Sequence, residues 1–180
     1  MGTGKSSLGR ILAERWRRPF LDTDHLIEQH ERLPVSAIFE QRGEAAFREL
    51  ERQCVLEWLP SAGAVIACGG GLVVPAGMAE LLRERGVVVC LFAAPETVLR
   101  RTMHSTHRPL LQGEEPLERI RELQRERENA YMRAGAGVLT DGRNFQDLAS
   151  AIERIYFRAI GGTGGRNSTA GGGSGARKSP

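Results

Sequence analysis

Short apolar runs alternate along the chain with longer segments whose apolar residues recur every three or four positions. Parallel strands joined by crossover helices produce this pattern. Four runs read as strands, at 20–21, 64–68, 87–92 and 138–139, and each leads into Asp, Gly or Pro. Helical periodicity covers 6–15, 26–31, 35–58, 76–85, 96–102, 117–132 and 146–157, and Gly43 is expected to divide the third of these. The predicted fold class is α/β with a mostly parallel sheet. Ligands in such sheets sit beyond the C-terminal strand ends, so the loops after Leu21, Cys68, Phe92 and Leu139 are where chemistry is expected.

Two segments break the pattern. Residues 103–116, MHSTHRPLLQGEEP, have little periodicity and carry Pro109, Gly113 and Pro116. A loop of that length inside a domain reads as a lid. Residues 161–180 are rich in Gly and Ser, hold almost no apolar side chain, and are expected to be disordered. The predicted organisation is one domain over 1–160 followed by this tail. A body of that size can bury a core without disulfides or structural metal.

Charge changes the picture once the tail is set apart. The chain carries a net charge of +3, from 25 Lys and Arg against 22 Asp and Glu. Three cations, Arg166, Arg177 and Lys178, lie in the tail, which has no acid, so the body is formally neutral. With only six Phe, two Tyr and two Trp, it offers no basic, aromatic-lined stripe for nucleic acid. No run approaches the roughly 18 apolar residues of a membrane span. Cys54, Cys68 and Cys90 are odd in number and widely spaced, which suits core packing in a reducing compartment. A soluble cytoplasmic protein is expected, with no membrane or nucleic-acid partner. The four His residues have no ligand-like spacing and are assigned no role.

The chemistry begins at the first residues. Met1-Gly2-Thr3-Gly4-Lys5-Ser6-Ser7 is the second part of G-x-x-x-x-G-K-[ST] running into a helix. In that pattern glycines let backbone N–H groups surround phosphates, Lys5 reaches the β and γ phosphates, and the Ser6 hydroxyl ligates Mg²⁺. The first glycine of the pattern and its feeding strand would precede Met1. The expectation is therefore that the sequence as written is unstable or inactive, and that an upstream extension of about ten residues restores it.

Phe20-Leu21-Asp22-Thr23-Asp24 places two carboxylates two residues apart at a strand exit. Asp22 could act through Mg²⁺ while Asp24 orients or deprotonates an acceptor hydroxyl. Equally, Thr23 or Asp24 could simply cap the following helix. Arg48 and Arg127 each lie among helical acids and, on residue types alone, read as solvated charge. Gly69, Gly70 and Gly71 after a buried run suggest a close backbone approach.

Taken together, the segments resemble the shikimate kinase family: G-x-G-K-S at 2–6, F-L-D-T-D at 20–24, G-E-x-x-F-R-x-x-E at 43–51, G-G-G at 69–71 and R-P-L-L at 108–111, with Arg127 four residues before Tyr131. Five motifs in one register over about 1–158 are far more specific than any one of them. The resemblance implies a P-loop NTPase three-layer sandwich of the nucleoside-monophosphate-kinase type, whose five-stranded parallel sheet lacks its first strand here. It implies ATP as co-substrate, shikimate as acceptor and a monomer, with the substrate-binding helices at about 25–59.

The resemblance also implies site roles. Asp24 would hold the shikimate hydroxyls and serve as base. Arg48 and Arg127 would grip its carboxylate, with Gly69, Gly70 and Gly71 alongside. Gly2, Thr3, Gly4, Lys5, Ser6 and Ser7 would bind the phosphates, and Ser6 and Asp22 the metal. Arg108 would close over ATP with the lid and act with Lys5 on the transferred group. Arg101 and Arg143 would lie beside the adenine, where Phe145 replaces the usual Pro. The rivals are another small-molecule kinase, such as a gluconate or nucleoside-monophosphate kinase, and a catalytically silent binding protein.

Overall fold

The computed structural model describes residues 2–103 and 115–161, so most of the expected lid, including Arg108, and all but Gly161 of the expected tail lie outside the described residues. Among the described residues, seven α-helices and four short strands follow in the order α1 Lys5–Trp16, β1 Phe20–Asp22, α2 Thr23–Glu31, α3 Val35–Gln53, β2 Val65–Ala67, α4 Met78–Arg85, β3 Val89–Phe92, α5 Pro95–Thr102, α6 Pro116–Ala134, β4 Ala136–Leu139 and α7 Phe145–Gly161.

The strands pair in parallel, as the alternation predicts, but among the described residues they form two pairs in place of one continuous sheet. Phe20 faces Val65 and Asp22 faces Ala67 in the first pair. Val89 faces Ala136 and Phe92 faces Leu139 in the second. Helix α1 spans both pairs. Its buried Leu8 and Leu12 pack with Leu91, Val138, Leu148 and Ile152, and the half-buried Val65 and Val89 join the same cluster. Burying one face of α1 on strands from both pairs holds the phosphate loop, which opens this helix, against the strand ends.

Helices α2 and α3 form a separate small core of Ile27, Ile38, Phe47 and Cys54. Gly43 interrupts α3 with φ 79 and ψ 173, a conformation that favours glycine, so the expected division is present. The last turn of the expected helix, Cys54–Trp58, is wound as a π-helix.

Several boundaries differ from the sequence pattern, among them the start of α2 at Thr23 and not at 26. Helix α4 starts at Met78 and not at 76, because Gly77 sits at φ 81 in the left-handed region. Strand β3 begins at Val89 and not at 87, and Val87 is exposed. Strand β4 begins two residues early, at Ala136, with Gly137 paired to Cys90. Glycine is a poor strand former, and the ladder with β3 overrides that propensity. Helix α7 is started by Asn144, whose Oδ1 accepts from the Asp147 N–H at 2.9 Å.

All three cysteines are free. Burial pushes the Cys54 thiol up to about 11 and the Cys68 thiol up to about 12, so neither is a thiolate at neutral pH. Among the described residues no helix is long and apolar enough to cross a membrane, and no group of His, Cys, Asp and Glu is arranged to hold a metal ion by itself.

Candidate active site

The phosphate loop turns on two glycines. Gly2 and Gly4 have φ 66 and 91, and Gly4 hands the chain directly to α1. The first-turn N–H groups of α1 thus face the loop without intrahelical partners, the arrangement that binds phosphate. Packing as well as dihedral angle demands glycine here. A Cβ on Gly2 would lie 2.9 Å from Thr102 Cγ2 of α5, and one on Gly4 would lie 3.1 Å from the Phe145 ring. Thr3 between them is buried.

Asp22, at the end of β1, joins the loop to the rest of the site. The Ser6 hydroxyl donates to Asp22 Oδ2 at 2.9 Å. Asp22 Oδ1 accepts from the Asp24 N–H at 3.2 Å and caps α2. The helix cap is therefore Asp22, and neither Thr23 nor Asp24 serves as cap. Thr23 is fully buried, and its Oγ1 accepts from the Gly69 N–H at 3.0 Å, tying the end of β1 to that of β2. Ser7 is exposed on the first turn of α1.

Relieved of capping, the Asp24 carboxylate faces inward. Its Oδ1 is buried without a hydrogen-bond partner, and so is Glu51 Oε1 on α3. Both oxygens crowd Gly69, where a Cβ would lie 2.6 Å from the first and 2.8 Å from the second. Two unpartnered acceptors beside one α-carbon would each be stabilised by a donor, because a buried acceptor left unpaired is unfavourable. Burial, and then the charge of Asp22, push the Asp24 carboxyl above the usual carboxylate range, while Lys5 pulls it down. Burial likewise raises the Glu51 carboxyl, against the opposing effect of Arg48.

Arg48 is anchored from one side by Glu51, whose Oε2 accepts from Nη1 at 2.6 Å. Burial favours the uncharged guanidine, but the bonds to Glu51 and Glu44 outweigh it and hold Arg48 firmly protonated. Its tip presses on Gly71, where a Cβ would be 2.5 Å from both Nη1 and Nη2. Gly71→Ala must therefore displace the arginine. It is expected to raise the KM for an anionic acceptor about tenfold or more while leaving the helical circular dichroism intact. An unchanged KM would show that the guanidinium position does not matter. Gly70 has a different role, its carbonyl accepting from the Tyr131 hydroxyl of α6 at 2.6 Å. Each glycine of the triplet thus answers to a different partner.

Arg127 on α6 lines a cavity of about 130 Å³ together with Arg48, Glu44 and Phe39, so both arginines border the same space. It also borders a larger space of about 450 Å³ that reaches Thr3 and the end of β3. Arg101 donates to Thr140 Oγ1 at 3.1 Å and to the Gly2 carbonyl at 3.4 Å, which places it against the phosphate loop. Arg143 is exposed and bonds locally, to the Asp147 carbonyl.

Glu51, Thr23 and Tyr131 are the site residues that sequence reasoning did not assign. Glu51 closes the 43–51 motif, three residues after Arg48. That spacing puts the pair on one helical face, but burial is what distinguishes it from the exposed acids around it.

A sequence profile described as shikimate kinase matches residues 1–156. A shikimate kinase from Paracidovorax citrulli is 45% identical over 160 residues, covering 87% of this chain and 86% of its own. One from Thermus thermophilus is 41% identical over 159 residues, covering 88% and 86%. The solved structure of shikimate kinase from Acinetobacter baumannii in complex with shikimate superposes with a TM-score of 0.81 at 36% identity, covering 88% of this chain and 89% of that one. With a P-loop kinase fold, a phosphate loop leading into α1 and an acid–arginine pocket beside it, this chain belongs to the shikimate kinase family.

Proposed function

We propose that the protein transfers the γ-phosphoryl group of ATP to the 3-hydroxyl of shikimate, giving shikimate 3-phosphate and ADP. The observation that carries this reading is the meeting, at the ends of β1 and β2, of a phosphate loop, an unpartnered buried carboxylate oxygen on Asp24 and a guanidinium on Arg48. An acceptor with both hydroxyls and a carboxylate satisfies both halves of that pocket. Arg48 and Arg127 would take the carboxylate, since guanidinium forks match it bidentately. Asp24 Oδ1 would accept from the reacting hydroxyl, orienting it towards the phosphate and receiving its proton. Lys5 at the head of α1 would hold the phosphates in line, and positioning of this kind accounts for much of phosphoryl-transfer catalysis.

The family implies Mg²⁺ with the nucleotide. The donor set fits it, because the Ser6 hydroxyl and an Asp22 carboxylate oxygen, both hard ligands, lie 2.9 Å apart beside the phosphate loop. These two residues would hold the ion, directly or through water, and the ion would supply charge neutralisation across the phosphates. Gly2 and Gly4 shape the loop backbone, and Arg101 braces it through the Gly2 carbonyl.

A coupled ADP-release assay with shikimate, gluconate and AMP side by side tests the assignment. Where the chain turns over, shikimate alone of the three is expected to be phosphorylated. Faster turnover with gluconate or AMP would overturn it.

A further inference from the structure

Two acidic side chains hold the Arg48 guanidinium. Glu44 Oε1 takes the side edge, accepting from Nη2 at 2.6 Å and from Nε at 3.2 Å. Glu51 Oε2 takes Nη1 at 2.6 Å. Nη1 and Nη2 also lie against Gly71, where a Cβ would be 2.5 Å from both nitrogens. An arginine binds a carboxylate strongly by presenting two parallel N–H groups on one edge. Glu44 holds one such edge, that of Nε and Nη2.

The two carboxylates differ in their freedom to leave. The Glu51 side chain is 2% exposed and the Glu44 side chain 65%. Parting Glu51 from Arg48 would leave the buried Glu51 carboxylate unpaired, whereas Glu44 can move into water at little cost. Glu44 is also the first residue after Gly43, where the chain breaks from helical geometry and nothing lies within 4 Å of a Cβ on that glycine. It lines the 130 Å³ cavity shared by Arg48 and Arg127.

We infer that Glu44 is a carboxylate latch, a built-in stand-in for the acceptor's carboxylate that holds the Nε and Nη2 edge of Arg48 and is displaced when the acceptor binds. The latch keeps the guanidinium aligned and lets a carboxylate-bearing ligand exchange one ion pair for another. Affinity is lowered by the strength of the Glu44 pair. This inference rests on the reading that Arg48 takes the carboxylate of shikimate.

Calorimetric titration of shikimate and of its uncharged methyl ester into the native chain, Glu44→Gln, Glu44→Ala and Arg48→Ala separates the two ideas. With a latch, both Glu44 variants bind shikimate about threefold more tightly, the scale of an exposed ion pair. Their affinity for the ester is unchanged. Arg48→Ala should lose the preference for shikimate over the ester. Weaker or unaltered shikimate binding in both Glu44 variants, with the preference still lost in Arg48→Ala, overturns the latch and leaves the carboxylate site standing. Retention of the preference in Arg48→Ala overturns the carboxylate site and the latch together.

Discussion

Asp24→Asn is expected to lower kcat for shikimate by about 10²- to 10⁴-fold, the usual contribution of a positioned proton acceptor, with a much smaller change in KM. The substitution keeps the size of the side chain and one carbonyl-type acceptor while removing the oxygen's ability to take a proton. Loss of fold would not explain the result. The folded state holds the Asp24 carboxyl above its ordinary range, chiefly through burial. A carboxyl raised in the fold stabilises it fully below the unfolded pKa, and that contribution is lost as pH rises through the folded value. Ionising Asp24 therefore costs the fold stability as pH rises, and Asn, which cannot ionise, is spared that cost. The melting temperature of the variant should equal or exceed that of the native chain in calorimetry at pH 7. A kcat within about tenfold of native would remove Asp24 from the chemistry.

Arg48→Ala is expected to act on both binding and stability. Loss of charge-assisted hydrogen bonds to the acceptor should raise the KM for shikimate by about ten- to a hundredfold, with kcat less affected. The same change strips Glu51 of its partner while its side chain remains 2% exposed. An uncompensated buried carboxylate destabilises by about 3 kcal/mol, or roughly 10 °C in melting temperature for a domain of this size. Glu51→Gln in the Arg48→Ala background should recover most of the lost stability and none of the lost affinity. Recovery of both would mean that Arg48 serves only to neutralise Glu51. Recovery of neither would mean that the pair is not the source of the instability.

These two residues show why part of the site could be read from the chain and part could not. The phosphate loop is local, since Gly4, Lys5 and Ser6 act through consecutive backbone groups and the start of one helix. Periodicity is local too, so the order of strands and helices and the break at Gly43 follow from the sequence. Arg48 is harder. Its helix carries Glu44, Glu49, Glu51 and Arg52, and spacing alone cannot say which acid is buried. Only the packing of α3 on α2 turns Glu51 inward and leaves Glu44 in solvent. Capping was ambiguous for a related reason. Thr23 and Asp24 both have capping side chains, but Asp22 caps the helix, and Thr23 is engaged by the Gly69 N–H from the loop after β2.

The sequence alone thus determined the α/β class, the phosphate loop, the two carboxylates at the exit of β1 and, through its motif series, the resemblance to a kinase family. Those features depend on residues close together in the chain or on their order. Tertiary structure decided which groups meet across distance. It set the unpartnered oxygens of Asp24 and Glu51 against Gly69, the tip of Arg48 against Gly71, and the Tyr131 hydroxyl on Gly70. It also separated the strands into two parallel pairs joined beneath α1. The physical reason is that burial and the pairing of charges depend on contacts between distant segments, which residue type and spacing constrain only weakly.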